Sequence, residues 1–134
     1  MKVFISHAMD DAPLAGLIAK ELQSAGFQVW TPAELFPGDN WAKAMGEALD
    51  HSQAMVVLLT PSWIASPYAK NEVTYALGKE TYKDRVIPVF ASSPQHLSRD
   101  NIPWILKSFP SIDLDKMGAK KGLAKLSKVL SAAA

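Results

Sequence analysis

The sequence contains no cysteine. Disulfides, thiolate zinc sites and cysteine nucleophiles are thereby excluded, and a cytoplasmic setting is the expectation that fits. Unbalanced charge is also scarce: 14 basic against 13 acidic side chains leave a net charge of +1. No excess of either sign points to nucleic acid or a membrane surface as a direct partner. No apolar run approaches the length of a bilayer span, and the opening "MKVFIS" reads as a strand rather than a signal peptide. Histidines are few, and His7, His51 and His96 lack partners at helical ligand spacing, so no metal is expected. GxGxxG, a Walker lysine and a GxSxG elbow are all missing, as are internal repeats and linkers. What remains is an ordinary globular composition, 49% hydrophobic and 20% charged over 134 residues. That suits one domain over 1–134 with a single core, and such a domain could equally be cut from a longer chain.

Apolar periodicity alternates between strand and helix. "KVFIS" (2–6) and "FQVW" (27–30) read as strands, and "AMVVLLT" (54–60) is apolar on both faces, as expected at the centre of a parallel sheet. Between the first two, Leu14, Leu17, Ile18 and Leu22 recur at helical spacing, with Asp10 or Asp11 as cap and Gly26 as stop. "TPAELFPGDN" (31–40) is a loop, after which Trp41, Met45 and Leu49 mark a second helix capped by Asp39 or Asn40. A third helix is expected from Pro67 to Tyr82, capped by Ser66. "RVIPVF" (85–90) is a fourth strand whose Pro88 suggests an edge or a bulge. Residues 91–108 read as loop, a short fifth strand lies near "SFPSIDL", and Leu123, Leu126, Val129 and Leu130 mark a last helix. The expected fold class is α/β: a flavodoxin-like three-layer sandwich, a parallel five-stranded sheet with helices on both faces. Ligands bind such sheets at the strands' carboxyl ends, here the loops "SHAMDD", "TPAELFPGDNW" and "TPSWIASPY".

Glu72 is the candidate group. Its helical neighbours are Tyr68, Ala69, Tyr75 and Ala76, with no Lys or Arg at i±3 or i±4 to pair it. It borders an apolar stripe of Ala69, Val73, Ala76 and Leu77, and a partly buried carboxylate has a raised pKa. The plain alternative is a solvated helix glutamate. Asp10 and Asp11 read as helix caps, and Ser6 and His7 as loop polarity. A phospho-receiver domain of this fold needs an aspartate ending the third strand. Thr60 stands there, which rejects that reading. Trp41 in "ELFPGDNW" is either a binding aromatic or a core anchor for its helix.

Taken in order over about residues 2–90, these pieces resemble the TIR domain, the Toll/interleukin-1 receptor module, in its bacterial form. "KVFISHAMDD" is similar to that family's first strand and loop, "GFQVWTPAELFPGDNW" to its second strand and BB loop, and "SQAMVVLLTPSWIASPYAKNE" to its third strand and glutamate-bearing helix. "VIPVF" fits the fourth strand. Two departures stand out: Tyr68 occupies a position usually held by tryptophan, and Thr31-Pro32 replaces an aspartate after the second strand.

The resemblance implies an activity that composition does not. Many bacterial and plant TIR domains, and an animal axon-degeneration TIR, cleave NAD+ at the nicotinamide–ribose bond. By this likeness Glu72 is catalytic, and the chain is expected to be an NAD+ nucleosidase or ADP-ribosyl cyclase. NAD+ is then a substrate, and no cofactor is expected. Substrate-binding residues by the same likeness are His7, Ala8, Leu35, Trp41, Ser66 and Tyr68. Leu35, Phe36, Pro37, Gly38 and Asp39 of the BB loop would serve self-association, through TIR–TIR contacts in an oligomer or filament. A fused sensor domain and a bacterial antiphage role are further expectations of the resemblance. The competing reading is a non-enzymatic scaffold that signals by TIR–TIR association. A third is a nucleotide-binding module without chemistry.

Overall fold

The computed structural model describes residues 1–32, 38, 40–91 and 102–133, with backbone alone at 115 and 116. Five strands, β1 (Lys2–Ser6), β2 (Gln28–Trp30), β3 (Ala54–Leu59), β4 (Val86–Phe90) and β5 (Ile112–Asp113), form one sheet in the order β2-β1-β3-β4-β5. Every pairing is parallel. This is the flavodoxin-like order, whose topological switch point lies between β1 and β3.

Helix α1 (Ala12–Ser24) follows a single 3-10 turn (Met9–Asp11). Asp11 stands at its N-cap position but makes no capping bond there, contrary to the expected role. Its carboxylate is instead drawn across to the end of β3, where it accepts a hydrogen bond from Thr60 Oγ1. Gly26, at φ +98°, ends the helix in the left-handed region that glycine adopts without steric cost. Leu17, expected on the buried stripe, is 60% exposed, while Ala15, Ile18 and Leu22 are buried. The buried arc is narrower than the apolar pattern.

Helix α2 (Trp41–His51) is capped by Asn40, whose side chain accepts from the Lys43 amide at 3.2 Å. A short additional helix, α3 (Pro61–Ile64), directly follows β3, while the expected third helix, Pro67 to Tyr82, is divided in two: α4 (Pro67–Leu77) and a closing 3-10 turn (Glu80–Tyr82). Ser66 does cap α4, accepting from the Ala69 amide at 3.3 Å. Within the segment expected as loop, Trp104–Ser108 forms a 3-10 turn, and the chain ends in α5 (Leu114–Met117) and α6 (Ala119–Ala133).

Strand parity sorts side chains between two cores. Val3, Ile5, Val56 and Leu58 pack on Ile18, Leu22, Leu126 and Leu130 of α1 and α6. Phe4, Met55, Val57 and Leu59 pack on Met45, Leu49, Trp63 and Val73 of α2, α3 and α4. Every residue of β3 is buried, and each aliphatic so buried stabilises the fold by roughly 1.5–3 kcal/mol. Pro88 lies on an interior strand, not an edge. β5 meets β4 only at Val89 and Phe90, so Pro88 sits just before the second neighbour begins. No helix among the described residues is long and apolar enough to cross a membrane.

Candidate active site at the carboxyl ends of strands 1 and 3

Ser6 is the last residue of β1 and shares the parity of Phe4, so its hydroxyl faces α4 rather than solvent. It is fully buried, and it donates to Glu72 Oε1 at 2.8 Å. The backbone carbonyl of Ala69 is a second, longer acceptor at 3.4 Å. Trp63 of α3 donates its indole Nε1–H to the same Ser6 Oγ at 3.3 Å. Glu72 itself is only 4% exposed, deeper than the helix-edge position its sequence context suggested. Ala69 and Ala76, a turn away on either side, are also buried.

Burial pushes the Glu72 carboxyl up to about 8, against the opposing pull of the Ser6 hydroxyl. No ion pair offsets that cost among the described residues, where the ion pair formed is Lys79 with Asp50 on the surface. A carboxyl of this kind titrates in the range where general acid, base or charge-stabilising chemistry operates.

His7 follows Ser6 and is also buried. Its Nδ1 lies 2.6 Å from the Ala8 carbonyl oxygen. A carbonyl only accepts, so the neutral ring carries its hydrogen on Nδ1, leaving a lone pair on Nε2. Nε2 is buried and has no hydrogen-bond partner among the described residues. Desolvation lowers the ring's pKa, with the Ala8 carbonyl and Asp11 pulling it partly back. Thr60 Oγ1, which accepts from the Trp63 amide at 3.1 Å, donates to Asp11 Oδ2 at 2.5 Å. The loops after β1 and β3 are thus tied together beside Glu72.

An aromatic pair forms the outer part. Trp41, the first residue of α2, and Tyr68, one turn before Glu72 on α4, meet edge to face with centroids 5.4 Å apart. They are 39% and 67% exposed, so Trp41 is no core anchor. Of the residues expected at the site, Glu72, His7, Ala8, Trp41 and Tyr68 gather at these strand ends, and Ser66 caps α4 nearby. Leu35, Phe36, Pro37 and Asp39 lie outside the described residues. Gly38, at φ +93°, is described and exposed. Ser6 and Trp63 were missed. Parity with Phe4 was the available signal for Ser6, whereas the indole contact spans 57 positions and leaves no local mark. A cavity of about 520 Å³, bordered by Leu77, Tyr82, Val86, Trp104 and Phe109, lies at the opposite, amino-terminal end of β4.

A family model of the TIR domain matches residues 3–129. The chain belongs to the TIR domain family. Among curated proteins none matches it. Solved structures with the same fold include the TIR domain of the Toll-related receptor TRR-2 from Hydra magnipapillata, at 17% identity and a TM-score of 0.75, covering 96% of this chain and 97% of that one. A metazoan TIR-STING receptor from C. gigas, in complex with 2′,3′-cGAMP, matches at 21% identity and a TM-score of 0.77. There this TIR domain is covered over 96% of its length but spans only 39% of the receptor chain. The TIR domains of the activated Roq1 resistosome, which directly recognises the pathogen effector XopQ, match at 18% identity and a TM-score of 0.58, over 97% of this chain and 83% of that one. At such identities the likeness is one of fold.

Proposed function

We propose that this TIR domain cleaves NAD+ at the nicotinamide–ribose bond, with Glu72 as the catalytic residue. The observation that carries the reading is a buried, unpaired carboxyl at the switch point of the sheet, hydrogen-bonded to the end of β1 and overlooked by two exposed aromatics. Cleavage of the glycosidic bond sends its electron pair to the pyridinium nitrogen, and nicotinamide leaves neutral. The ribose is left with oxocarbenium character, which an ionised Glu72 within reach of the ribose hydroxyls stabilises. Water captures the cation to give ADP-ribose and a proton. An adenine nitrogen or a ribose hydroxyl captures it to give a cyclic isomer. Trp41 and Tyr68 supply aromatic faces for the nicotinamide or ribose, and the His7 Nε2 lone pair suits a ligand N–H or O–H.

The scaffold reading has its own support: at 4% exposure Glu72 is shut away in this conformation, and Tyr68 and Trp104 offer large exposed aromatic surface for protein contacts. Nicotinamide release from NAD+ by concentrated protein, followed by chromatography, decides between the two. Wild type is expected to release nicotinamide, and Glu72→Ala and Glu72→Gln to lose release by at least about a hundredfold. Release that survives both substitutions overturns the reading, as does none from wild type in any assembled state.

A further inference from the structure

We propose that Ser6 and Trp63 are positioning residues for Glu72: a one-way hydrogen-bond relay, from indole to hydroxyl to carboxylate, that aims Glu72 and favours its ionised form. The purpose of the relay rests on the NAD+-cleavage reading, but its existence does not. For the ionised form of Glu72 its direction follows from chemistry alone. An indole N–H can only donate, so Ser6 Oγ must accept from Trp63. The hydroxyl then has one proton to give, and two acceptors compete for it. Glu72 Oε1 at 2.8 Å is closer than the Ala69 carbonyl at 3.4 Å, and a charged acceptor makes the stronger bond. Accepting from the indole also polarises the Ser6 hydroxyl and makes it a better donor. All three residues are buried, so water does not substitute for either bond.

No other described group supplies a charge that shifts Glu72. β1 carries only Lys2 at its far end, and α3 has no titratable side chain. His7 sits beyond Ser6 with a lowered pKa, and Asp11 is engaged by Thr60. On α2, Lys43, Glu47, Asp50 and His51 are exposed, and Asp50 is taken by Tyr75 and Lys79. In the turn after α4, Glu80 is exposed and the Tyr82 hydroxyl bonds the Leu49 carbonyl. On α4 itself Tyr68 is exposed and Lys70 is part-exposed. The relay is therefore the main polar influence on this carboxyl.

The test is the titration of the Glu72 side-chain carboxyl by carbon-13 NMR, with Glu72→Gln identifying the signal. No NAD+ is needed. Ser6→Ala is expected to raise the Glu72 midpoint by about one pH unit, the size of one lost hydrogen bond to a charged group. Trp63→Phe is expected to raise it by a smaller step, and the double variant no further than Ser6→Ala alone. A Trp63→Phe shift that persists in the Ser6→Ala background overturns the relay, as does an unmoved midpoint in both single variants. If Ser6→Ala does not fold, Ser6→Cys replaces the hydroxyl by a weak donor of similar shape and is expected to shift the midpoint in the same direction. A chain that shows this coupling yet never releases nicotinamide loses the proposed reaction but keeps the relay. Release without coupling does the reverse.

Discussion

At the scale of single residues, the cost of burying Glu72 appears as a proton equilibrium. Its carboxyl titrates near 4.5 in an unfolded chain and near 8 in the fold. Between these values the native state binds a proton that the unfolded state has released, so stability falls as pH rises. The favourable contribution is complete below about 4.5, is lost progressively up to about 8, and changes no further above that. The difference is on the order of a few kcal/mol, or roughly ten degrees or more in Tm for a domain of this size. Glu72→Gln keeps the shape and removes the titration. We expect the two proteins to melt together near pH 5 and the variant to melt higher near pH 9. Parallel Tm profiles in calorimetry would refute this. In the proposed turnover the sign is opposite, because the ionised form would stabilise the ribosyl cation: kcat/KM should rise through an acid limb at about pH 8. Glu72 could be singled out in the sequence because no cation sits at i±3 or i±4. Parity places Ser6 on the face of Phe4, but nothing local joins it to Glu72, 66 positions away.

At the scale of elements, α4 presents the site and its start is a defined joint. Ser66 holds the Ala69 amide, and Pro67 occupies the first helical position, where no amide hydrogen is required. Ser66→Ala should cost about 1 kcal/mol, read as a lower midpoint in urea with an unchanged m-value. This joint was plain from "ASPYAK", because cap and proline are local signals. The division of the expected 67–82 helix was not. Gly78 closes α4, and the chain tightens into a 3-10 turn so that the Tyr82 hydroxyl reaches the Leu49 carbonyl at 2.6 Å. That buried contact, with the Tyr82 phenol pushed up to about 12, is a tertiary demand that helical periodicity does not encode. Asp11 illustrates the same point from the other side. Its place in the sequence suits a cap, and Thr60, 49 positions away, takes it instead.

At the scale of the whole molecule, the alternation of apolar segments was enough to anticipate the five parallel strands and both helical layers. Element order is written locally, and right-handed crossovers leave few other arrangements. Pro88 misled because its tolerance depends on where β5 begins, a property of the sheet rather than of β4. Self-association, expected from the family resemblance, would tie the proposed activity to assembly. Nicotinamide release per mole of protein should then rise more than linearly with concentration and flatten once assembly is complete, as monitored by light scattering. A rate per mole that is constant from dilute monomer upward would count against that. Two side-chain contacts lie at the ends of α2 and α4, on either side of the core that Met45 and Leu49 share with Val73. Their far ends are tied by Asp50, which accepts from the Tyr75 hydroxyl and from Lys79. Their near ends meet in the edge-to-face contact of Trp41 and Tyr68. The far ends are thus riveted and the core holds the middle, while the tips carry a contact that a flat aromatic ring could replace with its own. Trp41, at one tip, would report that replacement by its fluorescence.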